Sequence, residues 1–395
     1  MAVVTCIEDL RRMAERRVPR MFYDYADSGS WTEQTYKANE TDYQKLRIRQ
    51  RVARNMEGRS TAGSMLGEEL AMPVALAPVG STGMQHADGE ILACRAAHKF
   101  GTQFTLSTMS VCSIEDVAEN VDDPFWFQLY VMRDKDFVGR LIDRAKAAEC
   151  SALVLTLDLQ ILGQRHKDLK NGLTVPPKLT VPVMLDLATK VRWGLEMMKT
   201  KRRTFRNIVG HVDGVEDTSS LSLWASQMFD PKLSWDDIAW IKDRWGGKLI
   251  LKGILDPDDA RLAVKHGADA IVVSNHGGRQ LDGALSSIEI LPEIVREVGD
   301  EIEVHIDGGI RSGQDVLKAL ALGAKGTYIG RAFNYGLGAM GELGVTKALE
   351  IIHKELDLSM AFSGATKLED VNIDSLILPR ERAGMVLGDG PVGNH

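Results

Sequence analysis

From residue 73 onward, short apolar runs alternate with amphipathic stretches, and there are eight such runs: 73–77, 104–107, 125–130, Ala152–Thr156, 249–252, 270–274, 304–307 and Gly326–Ile329. Runs of four to six residues rich in Val, Ile, Leu and aromatics have the length and composition of buried strands. The stretches between them, such as Gly89–Phe100, 258–266 and 314–322, carry helical spacing. A parallel pair needs a crossover to bring the chain back to the same end, so strand–helix alternation implies a parallel sheet. Eight repeats predict an α/β fold closed into a (β/α)8 barrel, whose chemistry lies where the strands end.

The polar residues gather where that fold requires them. Thr108, Gln128, Tyr130, Thr156, Asp158, Lys252, Ser274, His276, Asp307 and Arg331 all fall at or just past the ends of predicted strands. Any one alone reads as a satisfied core polar group; their agreement across strands marks a site. The densest stretch is Ser274-Asn275-His276-Gly277-Gly278-Arg279-Gln280-Leu281-Asp282. Its histidine is a base near neutral pH, and its arginine is a planar fork for a carboxylate. The two glycines between them let the backbone turn and approach a ligand.

Two glycine-bearing loops close the barrel: Asp307-Gly308-Gly309-Ile310-Arg311-Ser312-Gly313 and Ile329-Gly330-Arg331-Ala332. Loops after strands seven and eight of such barrels commonly bind phosphate through backbone N–H groups, and Arg311 and Arg331 add charge. No Gly-x-Gly-x-x-Gly lies between a strand and a helix with an acid about 20 residues on, so a dinucleotide is disfavoured. FMN fits better, with its one phosphate at these loops and its ring across the barrel mouth. Lys252, after three apolar residues, would then face the ring edge where negative charge develops on reduction.

Composition narrows the partners. A net charge of −7 without a basic–aromatic pattern argues against nucleic acid. Cys6, Cys94, Cys112 and Cys150 are widely spaced with no CxxC pair, which predicts free thiols, a reducing compartment and no metal site. There is no signal pattern and no run of eighteen apolar residues, so the expected location is the cytoplasm. The chain is expected to form one domain over 1–395. It would comprise a helical prelude (1–70), the barrel (71–376), an insertion after strand four (about 163–233) and a tail (377–395). Within the insertion, Pro176, Pro177 and Pro182 precede an amphipathic run over 183–198. From Lys190 to Arg206 there are seven Lys or Arg and a single acid, Glu196. Two readings fit: a solvated lid over the site, or an interfacial helix over about 176–206 with Met, Leu and Trp193 toward lipid and the basic residues toward anionic headgroups.

These residues resemble the FMN-dependent (S)-2-hydroxy-acid oxidoreductase family, through SNHGGRQLDG at 274–283 and DGGIRSGQDVLKALALGA at 307–324. The resemblance runs from about residue 9 to 376. ALAPVGSTGM (75–84), FQLYVMRD (127–134) and KGILDPDDA (252–260) place it nearest the membrane-associated, quinone-linked L-lactate dehydrogenases of bacteria. It implies that His276 is the base and that Asp158 supports its protonated form. It further implies that Arg279 and Arg165 clamp the substrate carboxylate, while Tyr25 and Tyr130 hydrogen-bond substrate. FMN would be held by Ala77, Pro78, Val79, Gly80, Ser107, Gln128, Thr156, Lys252 and Ser274 around the ring and ribityl chain. Asp307, Gly309, Arg311, Gly330 and Arg331 would hold the ribityl hydroxyls and phosphate.

The implied activity is oxidation of a 2-hydroxy acid, L-lactate foremost, with electrons passed through FMN to a quinone or another carrier. The alternatives are an oxidase releasing hydrogen peroxide, a mandelate-type dehydrogenase and a non-redox FMN-binding isomerase. The implied assembly is a homotetramer, peripheral on the cytoplasmic face of the inner membrane. The sequence departs from many relatives at Leu159-Gln160-Ile161-Leu162-Gly163, which lacks a proline, and at Met109, a tryptophan in glycolate oxidase. Gly80 follows the dehydrogenase pattern, where oxidases tend to have alanine.

Overall fold

A computed structural model describes residues 3–173, 180–212, 214–215, 224 and 228–378. Eight parallel strands close into a barrel in chain order: β1 Val74–Leu76, β2 Gln103–Ser107, β3 Trp126–Tyr130, β4 Ala152–Thr156, β5 Lys248–Ile254, β6 Ala270–Val273, β7 Glu303–Ile306 and β8 Gly326–Ile329, with β8 pairing back to β1. Each of the eight strands expected from sequence is present within about two residues. Six of them are buried along their whole length, because helices cover the outside while side chains fill the inside.

Side chains alternate across that wall. Ala75, Trp126, Val154, Ile250, Val272 and Tyr328 form the interior cluster, whereas Leu153, Leu249, Leu251 and Ile271 pack outward against helices. Two residues further along, the same parity brings Ala77, Gln128, Thr156, Lys252, Ser274 and Gly330 to the inner side at the strand ends. The apolar interior therefore gives way to a polar floor. The opposite mouth is closed by a hairpin, Gly63–Met65 with Glu68–Leu70, which inserts Met65 and Leu66 into the interior cluster. Glu68 secures it by accepting from Trp126 Nε1 at 3.2 Å and Gln103 Nε2 at 2.7 Å.

The prelude contributes α1 (Ile7–Arg17), α2 (Arg20–Ala26) and α3 (Gln34–Lys45). The barrel helices follow as α4 (Gly89–Phe100), α5 (Ile114–Ala118) and α6 (Lys135–Ala147). The insertion then supplies α7 (His166–Lys170), α8 (Val181–Thr189) and α9 (Val191–Lys199). The remainder are α10 (Trp235–Trp245), α11 (Pro257–Lys265), α12 (Ser287–Val298), α13 (Gly313–Ala321), α14 (Arg331–Met340) and α15 (Glu342–Ser363). Helix α1 lies on α14, where Gly338 leaves room: a Cβ there would come within 2.8 Å of Val18 and 3.2 Å of Ala14. Helix α3 crosses the loops after β6 and β7. Asn39 and Asn275 exchange amide hydrogen bonds at 2.8 Å, and a Cβ on Gly309 would overlap the Asn39 carbonyl oxygen.

Asp27 fastens the prelude to the barrel. Its carboxylate accepts from Tyr23, Tyr36 and Tyr335 hydroxyls at 3.0, 2.8 and 2.6 Å and from Arg11 at 2.9 Å. Burial alone would raise its pKa, but the Tyr335 hydroxyl and the Arg11 and Arg331 cations outweigh it, holding the carboxyl well below the usual range.

The insertion departs from expectation in two respects. The amphipathic run is two helices rather than one, broken at Lys190, which caps both α8 and α9. Trp193 does not face outward: its Nε1 donates to the Met84 carbonyl at 2.9 Å and its ring lies 5.5 Å from Phe22. The outward side instead carries Val181, Met184, Leu185, Val191, Leu195 and Met198, all at least 49% exposed. Among the described residues no helix is long and apolar enough to cross a membrane. Pro176, Pro177 and the tail beyond 378 lie outside the described residues.

Candidate active site at the strand ends

The β6–α12 loop owes its shape to three consecutive left-handed residues: His276 (φ +58°), Gly277 (+66°) and Gly278 (+72°). The glycines are obligatory in place as well as in angle, since a Cβ on Gly278 would come within 2.4 Å of Tyr36 N. Ser274 Oγ accepts from the His276 N–H at 3.1 Å, and Gly278 O accepts from Ser30 N at 2.9 Å, which ties the turn to the prelude. Thus oriented, His276 Nδ1 lies 2.9 Å from Asp158 Oδ1, with the two side chains 18% and 14% exposed.

Room for Asp158 comes from a residue that sequence reading passed over. Gly253, at the irregularity in β5, has φ +104°, and a Cβ there would lie 2.7 Å from Asp158 Cβ and Cγ. Gln280 secures the same segment, donating from Nε2 to the carbonyls of Asp158 and Ile161 at 2.8 Å and accepting from Gly163 N at 3.1 Å. Its place inside the HGGRQLD stretch was the available signal.

The electrostatic balance at His276 has two opposing sides. Burial lowers the imidazole pKa more than Asp158 raises it, with Lys252 and Arg279 adding to the lowering. Asp158 itself is held low against burial by His276 and Lys252. The result is a neutral imidazole at neutral pH beside a fixed carboxylate: a base ready to accept a proton and a charge placed to stabilise it once protonated.

Both arginines converge on one ring. The guanidinium carbon of Arg279 lies 4.8 Å from the centroid of Tyr25 and that of Arg165 lies 5.7 Å from it. Arg279 donates to the carbonyls of Tyr25 and Ser28. Burial, then the neighbouring Arg165 cation, brings Arg279 down to about 10, still cationic at neutral pH. Two crowded cations are a demand for an anion. Arg165 Nη1 meets Asp168 at 3.3 Å, yet Arg165 Nε and Asp168 Oδ1 are buried without a hydrogen-bond partner among the described residues. Asp168, whose pKa burial raises, was also missed from sequence. Tyr130 is buried edge-on to Phe229 at 5.5 Å, and burial with nearby Tyr25 and Asp158 raises its phenol pKa, so it stays a neutral donor.

Lys252 lies at the centre of the polar floor, 4% exposed, paired with Asp307 Oδ2 at 2.8 Å and donating to Ser274 Oγ at 2.9 Å. Burial lowers its pKa, but Asp307 and Asp158 reverse this and keep it charged. Gln128 Oε1 accepts from Ser107 at 3.0 Å, leaving Gln128 Nε2 buried without a partner among the described residues, as is Asp307 Oδ1. Thr156 is buried beside them on the same face. On the β1 side, Ala77 N donates to Ile329 O at 2.9 Å, and Pro78-Val79-Gly80 continues past Tyr25 and Met109. A Cβ on Gly80 would approach the Tyr25 hydroxyl and Met109 Cβ to 3.3 Å. Around Gly330 the space is open, with only Ala77 and Val79 at 3.7 Å.

Arg311 reaches Glu40 at 2.8 Å. Arg331 donates to the carbonyls of Ala26, Ser28 and Gly277 at 2.9, 2.8 and 3.1 Å. A buried cation, an unspent amide donor, an unspent carboxylate oxygen and an open glycine wall fit a flat, polar-edged cofactor bearing hydroxyls. The family model for FMN-dependent dehydrogenases matches residues 14–378. The chain belongs to that family. Its members are FMN-dependent oxidoreductases, and the donor set above suits FMN.

Among proteins similar to this chain is the L-lactate dehydrogenase of Actinobacillus pleuropneumoniae serotype 5b (strain L20). The two are 44% identical over 376 residues, covering 95% of this chain and 98% of the relative. Among solved structures, the monotopic membrane protein (S)-mandelate dehydrogenase superposes with a TM-score of 0.91 at 34% identity, covering 96% of this chain and 100% of that one. A soluble mutant of the membrane-associated (S)-mandelate dehydrogenase from Pseudomonas putida gives 0.81 at 33%, covering 95% of this chain and 100% of that one.

Proposed function

We propose that this FMN-dependent dehydrogenase oxidises L-lactate to the 2-oxo acid and delivers the electrons to a quinone-type acceptor at a membrane surface. The observation that carries the reaction is the His276–Asp158 pair set beside two arginines that share one tyrosine ring. The preference for lactate rests on the full-length similarity to L-lactate dehydrogenases.

The substrate carboxylate supplies the anion that Arg279 lacks and that Arg165 Nε, left over from the Asp168 pair, can also reach. Bidentate pairing there fixes the acid in one orientation. Tyr25 and Tyr130 donate to the substrate oxygens. With Nδ1 engaged by Asp158, His276 accepts the proton at Nε2, and Asp158 stabilises the imidazolium. FMN, when bound, takes up the two electrons released from the substrate. Lys252, Gln128, Thr156, Ser107, Ser274 and the Ala77–Gly80 backbone would hold its ring side; Asp307, Gly309, Arg311, Gly330 and Arg331 would hold its ribityl and phosphate side.

The membrane surface is inferred from α8 and α9. Their exposed apolar residues recur at three- and four-residue spacing, and basic residues follow directly at Lys199, Lys201, Arg202 and Arg203. The better superposition on the monotopic protein than on the soluble mutant supports this reading. A homotetramer is the proposed assembly, favoured by the exposed Leu358 and Phe362 one turn apart on α15; mass photometry would measure it.

The test is the visible spectrum of the FMN-loaded enzyme without oxygen, before and after L-lactate, with (S)-mandelate in parallel. Bleaching by lactate, then rapid reoxidation by a short-chain quinone and slow reoxidation by air, is the expected result. A band that mandelate bleaches and lactate leaves unchanged refutes the lactate assignment. Reoxidation by air as fast as by quinone refutes the acceptor.

A further inference from the structure

We propose that the cleft between the C-terminal end of α1 and the α8–α9 pair is a pocket for the phosphodiester headgroup of an acidic phospholipid. This rests on the membrane reading above and goes further, by naming a discrete site and its ligand.

The cleft is a cavity of about 200 Å³ bounded by the end of α1, the Gln85-His86 segment and the start of α9. Its wall carries four permanent cations, Arg16, Arg17, Lys190 and Arg192, against one carboxylate, Glu196. That carboxylate is already committed, to Arg192 at 3.1 Å and to His86 at 3.4 Å. Lys190 spends its ammonium on carbonyl oxygens at the end of α1, donating to Arg16 O at 2.8 Å, and so clamps α1 against the insertion. Arg16 and Arg17 have no carboxylate within salt-bridge distance among the described residues. Arg17 is half-buried, and burial together with the Arg192 cation holds its guanidinium below the usual range. The half-buried Arg17, with Arg16 exposed at the mouth and neither paired to a carboxylate, makes this cavity an anion site without its anion.

The position of the cleft selects the source of that anion. Val191 lines it and is also 64% exposed, on the same outward side of α9 as Leu195 and Met198. One turn of helix thus separates the cationic cleft from the apolar face. A lipid whose chains lie along that face would bring its phosphodiester to the cleft. Inorganic phosphate shares the charge but gains nothing from the apolar face.

Binding of dihexanoyl phosphatidylglycerol, below its micellar concentration, to the FMN-loaded full-length enzyme by calorimetry tests the site. Dihexanoyl phosphatidylcholine and inorganic phosphate serve as the other arms. Saturable one-to-one binding of the acidic lipid is expected. It should weaken at least tenfold in Arg16→Ala/Arg17→Ala, strengthen in Glu196→Gln, and stay within twofold in Lys199→Ala/Lys201→Ala, which removes equal charge outside the cleft. FMN content and reduction by lactate should be unchanged in Arg16→Ala/Arg17→Ala. Equal weakening in the two double variants would mean diffuse surface charge and overturn the pocket. Phosphate binding as tightly as the lipid would overturn the lipid source. Sedimentation with phosphatidylglycerol vesicles separates the two levels. If wild type sediments and Arg16→Ala/Arg17→Ala does so equally well, the pocket falls alone. If wild type stays in solution, the membrane reading falls and takes the lipid with it.

Discussion

Asp158→Asn removes one negative charge from beside His276 while keeping an oxygen able to accept from Nδ1. The side chains are 2.9 Å apart and mostly shielded from solvent. With charge centres about 4 Å apart and an effective dielectric of about 20, the ion pair formed on proton transfer is worth about 4 kcal/mol. If about half of that charge has developed at the transition state, the substitution raises the barrier by about 2 kcal/mol, a loss of roughly thirtyfold in rate. Anaerobic stopped-flow reduction of the bound FMN by L-lactate reads this step directly. The pH dependence should shift as well. Asp158 opposes the lowering of the His276 pKa by burial, so its loss leaves a weaker base that stays neutral to lower pH. The acid limb of the rate profile therefore moves toward lower pH while the plateau falls. Reduction within threefold of wild type at equal FMN content, or an acid limb moved upward, would refute the assignment of charge to this pair.

Three further substitutions probe what surrounds it. Gly253→Ala places a methyl against Asp158 at a positive φ, so it should reproduce most of the Asp158→Asn loss in flavin reduction while FMN content, read from the 450 nm region, stays near stoichiometric. Gln280→Leu breaks the ties to the 158–163 segment; KM for lactate should rise and the reduction rate fall, together on the order of tenfold in kcat/KM, as measured by steady-state assay with an artificial acceptor. Asp27→Asn leaves three phenols, those of Tyr23 and Tyr335 buried, and Arg11 without their shared anion and should cost about 2–4 kcal/mol by thermal or urea unfolding. Because the Asp27 carboxyl is held low in the folded state, its stabilisation is present above the usual carboxylate pKa of about 4 and is lost as pH falls below it; the variant should show a flatter decline of stability on acidification.

The barrel was legible in the sequence because each strand is a short apolar run closed by a polar residue, and eight such runs alternating with helices match the repeat number of a closed parallel barrel. The same alternation placed Gln128, Thr156, Lys252, Ser274 and Asp307 at one mouth before any coordinate was known, since inward parity is a local property of a strand. His276 and Arg279 stood out because a histidine, two glycines and an arginine in sequence have few structural uses. What escaped was set by contacts far apart in the chain. Gly253 matters only because Asp158, from the neighbouring strand, occupies its missing Cβ. Asp27 reads as one acid in a helical prelude until Tyr335, 308 residues away, closes on it. Trp193 looked like a lipid-facing aromatic by spacing, but α9 starts afresh after the break at Lys190 and turns the ring inward against Phe22. The histidine's pKa followed the same rule: the sequence named its carboxylate partner, while the burial that outweighs that partner is a property of the assembled barrel mouth. Sequence alone thus determined the strands, their parity and the chemical types at the mouth. Tertiary structure decided which of those groups are desolvated, which are left without partners, and which distant residues hold them in place.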